Sequence, residues 1–235
     1  MRAFRRHLGS TLMIFGVLLI AYALAVVFWR DPVTDVYTIY QQHQLSGKLQ
    51  QEERSYVAIV KQDEATVPIP ANDPAAAARA RATVAARVAH RFAKQYHGKL
   101  GSPIGKLSIE RIGLSTILVE GTDYWSSLSK GPGHYGATEW PGEGKTVGIA
   151  GHRTTFSAPF RHIDDLQKGD QITLKLPYGT FVYVVTHHRI VKSDDWSIVK
   201  DVGYEQLVIS ACHPLYSASH RWVVFAKLAS IDLPA

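Results

Sequence analysis

The chain has a single cysteine, Cys212, in the stretch "LVISACHPLYSASHRW". If the domain lies outside the cytoplasm, this thiol has no second cysteine to pair with. It is then either an inert packed residue or a thiol kept free for chemistry. Arg221 stands nine residues on, and His152 stands sixty residues earlier. All three sit at the ends of apolar runs of strand character: His152 closes "TVGIAGH", Cys212 closes "EQLVISAC", and Arg221 opens "RWVVFAKL". If those runs are neighbours in one sheet, the three side chains meet at one rim. A thiol is a nucleophile only as thiolate, and a nearby imidazolium or guanidinium lowers its pKa from about 8.5. His152 would then protonate a leaving amine, since histidine titrates near neutrality. Arg221 would hold the anionic oxygen of a tetrahedral intermediate. Together the three make a cysteine acyl-transfer site.

Each residue also has a plainer reading. Cysteine is among the most buried residue types. A histidine at a strand end is usually only hydrogen-bonded, and Arg221 can simply stack on Trp222. Zinc is a further possibility with eleven histidines in the chain. However, Cys212 and His213 are adjacent, His187 and His188 point to opposite faces of a strand, and no metal-ligand spacing occurs. No metal and no cofactor are expected. On spacing alone, the reactive thiol and the silent one both stand.

The elements that must position these residues begin near Gly101, where the texture becomes short β-rich runs separated by Gly, Pro and Asp. The strands expected are "GKLSIERI", "STILVEG", "TVGIAGH", "QITLKLP", "TFVYVVTHHRIV", "EQLVISAC" and "RWVVFAKLAS", with turns at "GPGHYG", "WPGEGK", "KGD" and "PYGT". "APFRHIDDL" reads as a short helix. Seven or more strands with few helices between them indicate an antiparallel sandwich or barrel.

Ahead of this domain, Asp73 and Pro74 open an Ala-rich helix over residues 73–97. Its Val84, Val88 and Phe92 form a narrow apolar stripe fit to dock on the domain, and Gly98 ends it. Six basic residues against one acid between Asn72 and Gly101 suit an anionic surface or a solvated face. Residues 31–71 are polar and weakly periodic, and read as a partly helical stalk ending at Pro68 and Pro70. "TLMIFGVLLIAYALAVVFW", Thr11 to Trp29, carries no charge over nineteen residues. At about 1.5 Å per residue it spans a bilayer core. Arg2, Arg5 and Arg6 precede it, so the N-terminus is expected to stay cytoplasmic and the rest to be exported. A cleaved signal peptide is the alternative, but the apolar run is long for one. The expected organisation is therefore a cytoplasmic 1–10, an anchor 11–29, a stalk or linker 30–100 and a catalytic domain 101–235. Composition, 46% hydrophobic and 20% charged with a net charge of +6, supports a packed core and shows no nucleic-acid signature.

"IAGHRTTFSAPFRHIDDLQKGDQI", followed by "CHPLYSASHRWVVFA", resembles the sortase family, most closely the class E housekeeping sortases of high-GC Gram-positive bacteria. "PIGKLSIERIGLSTILVEG" and "LSKGPGHYGATEWPGEG" fit the family's first half, so the resemblance covers residues 103–230. A papain-like protease is disfavoured, because there the cysteine opens a helix and precedes the histidine. The resemblance implies a closed eight-stranded β-barrel, all-β apart from short helices, and transpeptidation in two acyl transfers. Cys212 would cleave between Thr and Gly of a C-terminal sorting signal (LPXTG- or LAXTG-like) on a secreted protein and hold it as a thioester. An amine of a peptidoglycan precursor or a pilin would release it. His152 is implied as acid and base, and Arg221 as a contact to the oxyanion or peptide. Tyr135, in "GPGHY", is associated with preference for Ala over Pro at the signal's second position. Thr154, Ala211 and His213, which flank the triad, are implied as substrate contacts. Where the family has "TLxTC" this chain has "VISAC", so Ala211 stands in place of a threonine. The readings to be set beside this one are a non-catalytic barrel that binds wall peptides and a thiol hydrolase using the same triad.

Overall fold

The computed structural model describes residues 2–28 and 31–234, and within them the side chains of 7–26 and 31–234. Trp29 and Arg30, at the expected end of the apolar span, lie outside the described residues, as do the side chains of Arg2, Arg5 and Arg6.

Three helices come first. Helix α1 (Arg2–Phe28) contains an apolar window, His7–Val26, of 20 residues and mean hydropathy 2.2, with none of it buried. It is long and apolar enough to cross a membrane. Helix α2 (Pro32–Glu64) starts at Asp31, whose carboxylate accepts from the Val33 and Thr34 amides. Helix α3 (Pro74–Tyr96) starts as expected at Asp73, which accepts from the amides of Ala75 and Ala76.

Most of the region 31–71, expected as a partly helical stalk, is thus one continuous 33-residue helix, and this helix packs on the domain. Leu45 and Leu49 of α2 bury against Ile117 and Val119, while Tyr56 and Val60 meet α3. The apolar positions are few and widely spaced among polar ones, which is why the pattern reads as weak in the sequence. The α3 stripe docks as expected: Val84, Val88 and Phe92 are fully buried, with Phe92 5.1 Å from Trp140 and from Tyr178.

Eight strands follow: β1 (Pro103–Ile109), β2 (Leu114–Glu120), β3 (Gly133–His134), β4 (Thr146–Gly151), β5 (Gln171–Leu176), β6 (Gly179–Lys192), β7 (Gln206–His213) and β8 (His220–Asp232). They close into a barrel in the order β1-β2-β3-β4-β7-β8-β6-β5. The seven expected strands are all present. The eighth, β3, is a two-residue strand inside "GPGHYG", a segment that reads as a turn. "APFRHIDDL" contributes only a single 3₁₀ turn, Ile163–Asp165.

The sheet is not wholly antiparallel, since β2–β3 and β4–β7 are parallel pairs. A parallel pair needs a long crossover, and between β4 and β7 the chain makes a loop and the whole β5–β6 hairpin before re-entering at the same end. That return positions the site.

Strands β4, β7 and β8 alternate about one core. Val147, Ile149, Leu207, Ile209, Ala211, Val224 and Ala226 face the barrel interior. On the outer face Val208, Val223 and Phe225 are covered by Val191 and Ile198. Burial on both faces explains why "LVISA" and "VVFA" read as continuous apolar runs.

Candidate active site

The barrel register sets the three predicted residues side by side. On β4 and β7 the last pair is Gly151 with Ala211, so His152 follows Gly151 as Cys212 follows Ala211. On β7 and β8, Cys212 is directly opposite Arg221. Neighbouring strands lie about 4.8 Å apart, which places His152 and Arg221 one strand to either side of the sulfur. Cys212 shares the outer face of β7 with Val208 and Ser210, and it is half-buried and unpaired with any other thiol. Arg221 is also half-buried, and its Nη1 donates to the carbonyls of Ala218 and His220, each at 2.9 Å.

His152 is more enclosed than its sequence suggests. Its ring lies 5.3 Å from Tyr124, edge-on, and 5.1 Å from Phe156, and its Nε2 is buried with no hydrogen-bond partner. Burial pushes its pKa down to about 4, so at neutral pH the imidazole in this arrangement is uncharged. The expected imidazolium is therefore not what the enclosed site holds.

The enclosing residues come from two unusual backbone segments. Tyr124 and Trp125 sit in a single π-type turn, Tyr124–Leu128, whose start is capped by Asp123. Phe156, Ser157 and Ala158 run at φ of 51°, 60° and 42° in succession, a left-handed conformation that costs free energy for residues with a Cβ. Helix α2 holds this segment: the Phe156 amide donates to Thr34 Oγ1 at 2.9 Å, and the Tyr37 ring lies 6.3 Å from that of Phe156.

Tyr135 shares the outer face with Cys212. A Cβ on Gly148 of β4 would meet Tyr135 Cδ2 at 2.6 Å, so the ring lies directly on a position that must be glycine. Its hydroxyl is 2.8 Å from Ser210 Oγ, and Trp196 packs edge-on at 6.1 Å. Burial raises the phenol above its ordinary pKa, and both Arg221 and Cys212 are near enough to act on it electrostatically.

The other implied contacts fare differently. Ala211 is 2% exposed and faces the barrel interior, because side chains alternate along β7 and Cys212 takes the outer face. Its methyl packs in the core, so the missing threonine hydroxyl is not taken from the face that carries the sulfur. His213 lies on the same side as Ala211, with its Nδ1 3.3 Å from Arg153 Nη1 and its ring 5.5 Å from Trp222. It too turns away from the face that carries the sulfur. Thr154 is half-buried in the loop that follows His152.

Sequence reasoning passed over Arg153. Only 2% exposed, it donates to the Cys212 carbonyl (3.4 Å) and the Arg161 carbonyl (3.3 Å) and pairs with Asp164 (2.6 Å). The available signal was a charged residue next to His152, with acids eleven and twelve residues on in "HIDDL". The long-range bond to the Cys212 backbone left no trace in the spacing.

Fold and site together define a β-barrel protein with a free thiol set between a histidine and an arginine. A Sortase domain model matches residues 107–229, more than half of the chain, and the chain belongs to the sortase family. Sortase D of Bacillus subtilis is 37% identical over 131 residues, covering 54% of this chain and 64% of that protein. Sortase SrtE1 of Streptomyces coelicolor is 27% identical over 143 residues, covering 54% of this chain and 41% of that protein. The chain thus spans less than two thirds of the length of these relatives. The structure of sortase E from Streptomyces avermitilis superposes with a TM-score of 0.52 at 31% identity, covering 57% of this chain and 92% of that one. The family expectation is met in full. The class E expectation has weaker support, since identity is higher to the Bacillus sortase D than to SrtE1.

Proposed function

We propose that this chain is a membrane-anchored cysteine transpeptidase that uses Cys212, His152 and Arg221. One observation carries the reading: the barrel register puts Cys212 directly opposite Arg221 and one residue past the Gly151–Ala211 pair that leads to His152. Family membership supports the reaction class.

The chemistry follows from the charge states. Neutral His152 takes the thiol proton as the sulfur attacks the carbonyl carbon of the Thr–Gly bond in a C-terminal sorting signal. The guanidinium of Arg221 stabilises the oxyanion of the tetrahedral intermediate. The C–N bond breaks, His152 gives its proton to the departing glycine amine, and a thioester to Cys212 remains. An amine on a wall precursor or a pilin then attacks that thioester. It loses a proton to His152 and expels the thiolate, which recovers the proton. For His152 to reach the leaving amine, Tyr124 and Phe156 must yield to the incoming peptide. Tyr135, on the same face, is the proposed contact for the residue at the signal's second position, and Thr154 a further contact at the histidine side.

In this reading residues 1–10 are cytoplasmic and 11–29 cross the cell membrane once. Residues 30–100 connect through α2 and α3, and the catalytic domain 101–235 lies outside. The test is to incubate the full chain in lipid nanodiscs with pentapeptide signals differing at the second position, with and without an amine acceptor. Mass spectrometry should show a Cys212 acyl adduct and, with amine, a ligated peptide. Absence of an adduct with every peptide, or the same products from Cys212→Ala, rejects the assignment.

A further inference from the structure

We propose that the mouth of the active site is itself a bilayer-contacting surface, in which Leu215 and Tyr216 of the β7–β8 loop, Trp125 of the π-type turn and the first turns of α2 rest in the lipid headgroup region. The proposal rests on the reading of α1 as a membrane span. Helix α1 stands clear of the domain until its last turn, where Ala25 and Val26 become half-buried. What meets that turn is the active-site loop: the Tyr216 hydroxyl donates to the Val26 carbonyl at 3.2 Å.

If His7–Val26 crosses the bilayer, at about 30 Å for twenty residues, then Val26 marks the domain-side edge of the hydrocarbon layer. Tyr216 lies at that depth. Cys212 is four residues away along the chain, hence within at most about 14 Å of it.

The residues surrounding this point are those of a membrane boundary rather than of a water-facing surface. Leu215 is 38% exposed, Tyr216 53% and Trp125 71%, and α2 presents Val33, Val36 and Tyr40 at 66%, 70% and 61% as it leaves the membrane. Tyr37 and Trp125 both pack on the buried Phe156, at 6.3 and 6.2 Å, so the start of α2 and the π-type turn meet over one ring. Exposed apolar groups in this number mark an interaction site, and tryptophan and tyrosine concentrate where a bilayer meets water. The patch is aromatic and aliphatic, so its contact with lipid should not depend on anionic headgroups.

The test uses the full chain with Cys212→Ala as background, in phosphatidylcholine nanodiscs. Single cysteines at Trp125→Cys, Leu215→Cys, Leu18→Cys and Ser230→Cys carry an environment-sensitive fluorophore. Nitroxide lipids quench at the headgroup or deep in the acyl region. Position 18 should be quenched by the deep nitroxide. Positions 125 and 215 should be at least halved by the shallow one, in high salt as in low. Position 230, at the far end of β8, should stay unquenched. Quenching at 18 without quenching at 125 and 215 overturns the surface proposal alone. No quenching at 18 overturns the anchor and the surface with it, and loss of shallow quenching in high salt overturns the apolar contact.

Discussion

Arg153 is bonded to the backbone of Cys212: its Nη1 donates to the main-chain carbonyl at 3.4 Å. The same guanidinium holds Asp164, the Arg161 carbonyl and His213 Nδ1, so the strand end that carries the sulfur and the loop that follows His152 share one cation. A planar five-donor group serves that many partners, and an ammonium cannot. Arg153→Lys should lower kcat about tenfold with little change in KM, because the residue positions the candidate triad and lies on the opposite side of the sheet from the sulfur. Arg153→Ala should cost about 2–4 kcal/mol of stability, since it strips partners from a buried site. Steady-state kinetics and urea denaturation check both. Equal loss in kcat/KM through KM alone contradicts the positioning role.

The enclosure of His152 makes a titration testable. Its imidazole should titrate near pH 4 by NMR, and Phe156→Ala should move that value up toward the ordinary ~6.5 as water reaches the ring. The sign for stability follows. A folded pKa below the unfolded one means the unfolded chain binds the proton first. The stabilisation is whole above about pH 6.5 and is lost as pH falls to about 4. His152→Gln should flatten that acid-side slope in denaturation curves taken across this range.

Removal of the reacting groups should separate chemistry from folding. Cys212→Ala should abolish acyl adduct and product while leaving the melting temperature nearly unchanged, because the thiol is only half-buried. Arg221→Lys should reduce kcat by about 10²–10³, the range for loss of one oxyanion donor. Arg221→Lys also loses bonds to Ala218 and His220, so its loop should exchange amide hydrogens faster than in the parent. A rate within twofold of the parent removes Arg221 from the mechanism.

Tyr135 and Ser210 form a pair whose worth is measurable. Tyr135→Phe should cost about 1 kcal/mol by breaking the 2.8 Å bond, and Ser210→Ala a similar amount. The double variant should cost less than the sum, because each single change removes the same interaction. Tyr135→Ala should broaden tolerance at the second position of the signal, read by competition between peptides. Unaltered selectivity makes Tyr135 a packing residue on Gly148.

Strand identity and the three candidate residues were legible in the sequence because they obey local rules. Period-two apolarity, turn residues, and polar groups closing apolar runs are written in neighbours along the chain, as are the Asp73 cap, the α3 stripe and the apolar length of α1. Other features depended on atoms brought together from distant positions. That β4 and β7 run parallel depends on where the β5–β6 hairpin sends the chain. That α2 packs rather than projects depends on a few leucines meeting Ile117 and Val119. Alternation along β7, once its inner face was known, turned Ala211 and His213 inward and left Cys212 on the outer face. The neutral state of His152 came from aromatic rings twenty-eight residues before it and four after it, and desolvation has no sequence signature. The sequence by itself determined which groups are the candidates for chemistry and which apolar runs they close or open. Only the closed barrel decided how far each is shielded from water and what holds it, because burial and long-range hydrogen bonds are properties of the packed chain.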